Sequence, residues 1–260
     1  MSAGEALTEV SAALRMARSV VVLTGAGVSA ESGVRTFRDA MEGLWKEYDP
    51  AQLATPEAFA RDPELVTRWY DWRRQSVLCA EPNPGHAALV EMQRRVEGAG
   101  GTFTLVTQNV DRLHQRAGSR GVVELHGSIV VWRCACCGRK VEPRPGPFER
   151  FPPPSPWCAG ELLRPDVVWF GEMLPPEAVA AAEGAVAGGG GCNLFLSVGT
   201  SAVVYPAAGF AHAARARGAR VAEINRETTP LSPLVDWSLR GLSGEVLPRV
   251  VERAWGTSTG

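Results

Sequence analysis

His126 stands at the end of a short apolar run, in VVELHG (Val122–Gly127). An imidazole is the side chain that moves protons most readily near neutral pH. A lone histidine after a strand is more often structural, so the other three set the comparison. His86 reads as a helix-start residue, His114 as scaffold one turn beyond Asp111, and His212 as part of an amphipathic helix. Further polar groups gather where apolar runs stop. Gln108, Asn109 and Asp111 follow FTLVT, although Asn and Asp also suit a plain capped turn. Gly199, Thr200 and Ser201 end NLFLSVGTS and offer backbone N–H and hydroxyl groups to a phosphate or a sugar, and Asn225 ends RVAEIN. After Val20–Thr24, Gly25, Gly27 and Ala30 make a G-x-G-x-x-A turn, a weak dinucleotide signal by itself. The turn then departs from that pattern. It runs through Glu31, Ser32 and Gly33 into the polar stretch Arg35, Thr36, Phe37, Arg38, Asp39 instead of straight into a packing helix.

Two other groupings carry chemistry. On a helix opened by Asp62 and Pro63, Tyr70 and Arg73 project together, three residues apart. They present a hydroxyl and a planar fork suited to one carboxylate; the plain alternative is a packing Tyr beside a solvated Arg73–Arg74 pair. The same spacing predicts that Leu65, Trp69, Trp72 and Ser76 form the packed stripe. The second grouping is a cysteine cluster around CACC. Six cysteines in a chain whose first residues lack a long apolar core point to a reducing, cytoplasmic compartment, where clustered thiols serve metals more often than disulfides.

Helices and strands must hold these groups. Helical spacing covers Leu7–Arg18, 63–78, the stretch from near His86, and about 206–217; apolar strands are expected at Val20–Thr24, Phe103–Asn109, Val122–Gly127, Asn193–Ser201 and Arg220–Asn225. The alternation predicts an α/β fold with a doubly wound parallel sheet, which binds ligands at the carboxyl ends of its strands. Two stretches break the alternation: a Trp-rich helical one and one with the cysteines and EPRPGPFERFPPPSPW. They are expected to form a smaller module, about 36–83 and 128–165, inserted into a Rossmann-like module of about 1–35, 84–127 and 166–260. With 260 residues, 45% apolar, the chain can bury a sizeable core. A balance of 27 basic against 28 acidic residues gives no electrostatic case for a nucleic-acid or anionic-membrane partner. No run of about 18 apolar residues suggests a membrane span.

GAGVSAESGVRTFRD, TQNVDRLH, LHGS, RPDVVWFGE, VGTSAVVYPAAGF and EINRE follow one another in an order that resembles the sirtuins, NAD-dependent protein-lysine deacylases. The resemblance runs from about Val20 to Leu247, and ordered motifs are far more specific than the glycine turn alone. ESGVRTFR together with TPEAF, DPELV and YDWRR is similar to the bacterial branch that includes desuccinylases.

The resemblance implies NAD as co-substrate. Gly25, Ala26 and Gly27 would carry its phosphates, with Ala30 and Glu31 in the same site. Thr36, Phe37 and Arg38 would belong to a closing loop, with Phe37 shielding the reactive ribose carbon from water. Gln108, Asn109 and Asp111 would line the nicotinamide and ribose pocket; Gly199, Thr200 and Ser201 would meet phosphate or ribose; Asn225 and Ser243 would meet the adenosine end. His126 is the implied general base, with Asn109 beside it as the second catalytic residue. The acyl oxygen of a modified lysine attacks the ribose carbon, nicotinamide leaves, and His126 helps a ribose hydroxyl take over the acyl group. The partner is then an acylated lysine in a protein, lying against Val168, Phe170, Gly171 and Glu172 by strand addition, and a Y-x-x-R pair such as Tyr70 and Arg73 marks enzymes that accept succinyl or malonyl groups. A mono-ADP-ribosyltransferase and a non-catalytic NAD or ADP-ribose sensor are the alternatives. The oligomeric state stays open, a monomer being sufficient.

The resemblance also implies zinc between two C-x-x-C pairs, and here the sequence departs. Cys134 and Cys137 supply the first pair; Cys158 stands in the second, but three residues before it is Ser155, a poor zinc ligand. Zinc held by Cys134, Cys137 and Cys158 needs a water or Cys136 in the fourth place, and the alternative is a reduced cluster without metal.

Overall fold

The structure is a computed structural model and describes residues 2–34, 49–188 and 191–256. Helix α1 (Ala3–Met16), opened by a Ser2–Glu5 capping box, leads into strand β1 (Ser19–Thr24). The short helices α2 (Pro50–Leu53) and α3 (Pro56–Arg61) precede α4 (Pro63–Cys79) and α5 (Pro84–Gly98). Then come β2 (Thr102–Thr107), α6 (Leu113–Ala117), β3 (Val123–Glu124), β4 (Gly127–Cys134), β5 (Lys140–Val141), β6 (Leu163–Val167), α7 (Pro176–Ala187), β7 (Leu194–Val198), α8 (Ala207–Ala216), β8 (Arg220–Asn225), β9 (Trp237–Arg240) and α9 (Ser243–Trp255).

The larger sheet has the order β3-β2-β1-β7-β8-β9, all parallel. Its central strands are apolar on both faces, as a sheet covered by helices on both sides requires. Val20 and Val22 of β1 face the cluster built with α1, α5 and α9, while Val21 and Leu23 face the one built with α7 and α8. This is the doubly wound fold expected. The strand order reverses between β1 and β7, so a crevice opens beyond their carboxyl ends.

A second, antiparallel sheet has the order β5-β4-β6. Helix α4 packs on it, bringing Val66, Trp69, Tyr70 and Val77 together with Ile129, Trp132 and Trp169. Asp62 caps α4 by accepting the Leu65 N–H at 2.9 Å, and Pro63 opens it. The expected packed stripe is corrected: Trp69 is buried, but Leu65 and Trp72 are only half-buried and Ser76 is exposed. The buried arc instead holds Val66, Thr67, Tyr70, Asp71, Arg74 and Val77. The cause is a second neighbour. The loop at Arg144–Phe148 covers the polar flank of α4, with Arg74 donating to the Arg144 and Gly146 carbonyls and Asp71 accepting the Phe148 N–H.

The third expected strand is also shorter than read. It stops at Glu124, and the chain crosses from the large sheet to the small one through Leu125, His126 and Gly127. Leu125 N–H still donates to Thr107 O at 2.9 Å. Gly127 then takes φ +72°, and a Cβ on it would collide with the Asp166 carbonyl oxygen. No other residue fits that crossing. Gly127→Ala should therefore destabilise the protein by about 1–3 kcal/mol or more from backbone strain before the clash is counted. Thermal unfolding checks this; an unchanged Tm would mean the crossing relaxes freely.

Candidate active site

The crevice at the switch point is walled by two backbone turns. Gly25 N–H donates to Val198 O at 3.0 Å, and Gly27 N–H to Gly199 O at 2.8 Å. A Cβ on Gly27 would sit 2.8 Å from Gly199 Cα, so the two turns meet main chain to main chain. Val28 N–H and Ser29 N–H close the turn onto Gly25 O and Ala26 O. Of the turn's backbone donors, Ala26 N–H is the one not used in these four bonds. Glu31 reaches across to the start of α9, accepting Gly244 N–H at 2.7 Å and the Ser243 hydroxyl at 3.3 Å. Ala30 is exposed beside it.

Three strand ends are tied together by side chains. Gln108 Nε2 donates to Thr200 Oγ1 at 2.9 Å, and Asn225 Nδ2 to Thr200 O at 3.0 Å. Ser201 is exposed next to them. Asn109, buried, donates to Ser29 Oγ at 3.1 Å. Asp111, also buried, accepts the Leu113 N–H at the start of α6 at 2.9 Å and bonds the Ser29 side chain; burial pushes its carboxyl above the usual carboxylate range. Arg112 and Ala202, adjoining Asp111 and Ser201, are the positive-φ residues other than glycine among those described. Such strain collects where a structure must aim groups at a ligand.

Ser29 was missed by the sequence reading because it looks like one more small residue in a glycine turn. A buried support beneath the site was missed as well. His114 Nε2 meets Thr24 Oγ1 at 2.9 Å, Thr24 donates to Thr107 Oγ1 at 2.8 Å, and Thr107 accepts Asn109 N–H at 3.0 Å. The His114 ring lies 4.8 Å from that of His86, which also accepts Asn83 N–H in the capping box of α5. His86 is thus a helix-start residue and His114 scaffold, as expected.

His126 is half-buried, and its Nδ1 lies 2.9 Å from Gln108 O. A carbonyl only accepts, so Nδ1 carries the proton and Nε2 keeps its lone pair. Burial pushes the imidazole below its usual pKa, and the Gln108 carbonyl partly opposes this. At neutral pH His126 is a neutral base with Nε2 available.

The expected substrate edge is a loop that follows β6. β6 ends at Val167, and the following N–H groups are engaged within the chain: Val168 with His126 O, Phe170 with Ala54 O, Trp169 with the Glu172 carboxylate and Glu172 with Trp169 O. Glu172 is held by Arg164 at 2.6 and 2.9 Å and closes the loop. Gly171 N–H is not among these bonds, and Phe170 is left 56% exposed beside it. Nearby, Tyr70 is fully buried, its phenol pushed up to about 12 by burial, with its ring 6.2 Å from Trp169. Arg73 lies over the Trp69 ring at 4.9 Å and the Tyr70 ring at 6.0 Å. Thr36, Phe37 and Arg38 lie outside the described residues. Away from the crevice, Cys134, Cys137 and Cys158 bring their sulfurs within 4.8 Å of one another, a soft donor set that fits zinc.

Residues 25–206 match the sequence pattern of the Sir2 family. The chain belongs to the Sir2 family. A Thermus thermophilus protein named NAD-dependent protein deacylase is 54% identical over 238 residues, 91% of this chain and 90% of its own length. A Pyrobaculum aerophilum protein named NAD-dependent protein deacylase 2 is 54% identical over 239 residues, 92% of each chain. A solved Sir2 homologue in complex with NAD superposes with a TM-score of 0.86 at 46% identity, covering 95% of this chain and 93% of that one. The crevice fits NAD: its paired glycine turns leave main chain facing the opening, and polar side chains ring it from the carboxyl ends of β2, β7 and β8.

Two tests follow from this sirtuin geometry. With His126 as the expected base, activity is lost as pH falls through its pKa, which burial lowers from that of an ordinary imidazole. The acid limb of the kcat/KM profile should therefore lie below the range of a free imidazole, and His126→Ala should lower turnover about a hundredfold or more with Tm unchanged. An acid limb above pH 7 contradicts the assignment. The second test concerns the buried pair. Burial pushes His86 down to about 4 and His114, with His86 adding, to about 3. The unfolded chain takes up these protons first, so stability is full above about pH 6.5 and declines as pH falls toward 4. His86→Gln keeps a capping-box side chain. It should flatten the fall of Tm between pH 6.5 and 4; an unaltered slope assigns the sensitivity to other groups.

Proposed function

We propose that this chain is an NAD-dependent protein-lysine deacylase that accepts the acidic succinyl and malonyl groups as well as acetyl. Family membership and the deacylase relatives support the general activity. The intact His126 base, oriented by Gln108, argues against a sensing role alone. When bound, NAD supplies the ribose carbon that receives the acyl oxygen as nicotinamide departs. His126 Nε2 takes the proton of a ribose hydroxyl; Asn109, fixed by Ser29 and the Thr107 hydroxyl, stands ready for a ribose hydroxyl or a water; and Asp111, fixed by Ser29, is placed for the carboxamide. Residues about 36–83 and 128–165 are read as the smaller of two modules, with the acyl-lysine entering between them beside Phe170 and Gly171.

The acyl preference rests on one observation, the different fates of two adjacent arginines on α4. Arg74 is buried, paired with Asp71 at 2.7 Å and bound to loop carbonyls, so it is structural. Arg73 instead lies over the rings of Trp69 and Tyr70, and the Tyr70 ring in turn neighbours Trp169. Burial pulls the Arg73 guanidinium below its ordinary pKa, with Tyr70 opposing. An arriving carboxylate would offset that desolvation, while an acetyl group brings none.

A charge-assisted contact is worth roughly 1.5–3 kcal/mol, about tenfold or more in rate. Arg73→Met should therefore weaken desuccinylation of a succinyl-lysine peptide by about tenfold or more and leave deacetylation of the matched acetyl peptide much less changed. Equal losses for both peptides would make Arg73 a structural residue and remove the acidic-acyl reading, while the deacylase reading would stand.

A further inference from the structure

The cysteine cluster departs from two C-x-x-C pairs at one corner, and the local geometry identifies what fills it. In the loop after β4, the Cys134 sulfur receives the backbone N–H groups of Cys137 and Cys136, three and two residues further on. In the second loop, Ser155 Oγ receives the N–H groups of Trp157 at 3.2 Å and Cys158 at 3.3 Å, two and three residues further on. Ser155 therefore holds in its loop the place that Cys134 holds in its own. Its Oγ lies 3.1 Å from Cys134 Sγ, on the edge of the three-sulfur cluster. A tetrahedral ion with bonds of about 2.3 Å to sulfur and about 2.0 Å to oxygen sets its donors roughly 3.5–3.8 Å apart, between the 3.1 Å from Ser155 Oγ to Cys134 Sγ and the 4.8 Å that bounds the sulfurs. Cys136 is exposed and is not one of the three clustered sulfurs.

We propose that Ser155 is the fourth donor of a three-thiolate, one-oxygen divalent-metal centre. The centre joins the loop after β4 to the loop before β6. With one soft donor replaced by a hard one, it holds zinc less tightly than a four-thiolate centre would, because thiolate is the stronger zinc ligand of the two.

The test uses the full chain purified without chelator and loaded with zinc. X-ray absorption should find three sulfur and one lighter neighbour, and Co(II) exchange should give the charge-transfer intensity of three thiolates. Ser155→Cys should raise the sulfur count to four and slow metal release to EDTA. Ser155→Ala should speed release by about tenfold. Cys136→Ser, at an exposed position, should change neither coordination nor release. Four sulfurs in the wild-type protein, a centre altered by Cys136→Ser, release rates indifferent to Ser155→Ala, or failure of the wild-type chain to hold one metal each overturn the assignment. None of these readouts depends on deacylation.

Discussion

Contact between two bare stretches of main chain governs the site. At the ends of β1 and β7 the turn at Gly25–Val28 lies against Gly199, close enough that side chains on either would collide. That contact is possible only because β1 and β7 are neighbours at the reversal of strand order. It fixes the distance between the two loops that wall the crevice. It also sets where Thr200 stands, and Thr200 in turn holds Gln108 and Asn225. A substitution that opened the contact would disturb three strand ends together, and through Gln108 it would reach the carbonyl that orients His126.

The base sits where one sheet hands the chain to another. Leu125 still bonds the large sheet through Thr107 O, and Gly127 already pairs with Val167 in the small one. His126 therefore feels both. Its ring bonds Gln108 O beside the large sheet, while its own carbonyl accepts Val168 N–H from the loop after β6. Under the proposed function His126 would meet the co-substrate on one side and the acyl group on the other, and such a crossing suits that role.

What could be read from the sequence follows from how each element is stabilised. Val20–Thr24 is legible because a strand covered on both faces needs an apolar run, and Arg220–Asn225 because its apolar residues, interrupted only by the buried Glu223, stop at a polar end. The β8 bounds agree with that reading residue for residue. The small sheet was not legible. β5 has two residues, β6 contains Pro165, and the register of β4 against β6 shifts between Ser128 and Trp132, so no regular alternation survives. On α4 the period was visible but the face was not, because an ion pair, Asp71–Arg74, lies on the buried side and imitates a solvated one. Within the site, Gln108, Asn109, Asp111 and His126 stood out as polar ends of apolar runs. Ser29, Thr24 and Thr107 were hidden because a hydroxyl in a turn or strand has many ordinary uses, and only the fold shows that these are bonded to Asn109 and His114.

Burial acts in one direction on the titratable groups that ring the site. It pushes Asp111 up and pulls His126, His114 and His86 down, in each case toward the neutral form. Arg73 is pulled the same way but stays a cation, since a guanidinium does not lose its proton in the working range. Where burial disfavours the charged form in this way, polar contacts are strong and unmatched charge is costly. This bears on selectivity. On the acidic-acyl reading proposed above, an entering carboxylate would be met by Arg73, which lies over aromatic rings on α4. Under the proposed function, the burial that favours the neutral form of His126 would also favour acyl groups that Arg73 can pair with.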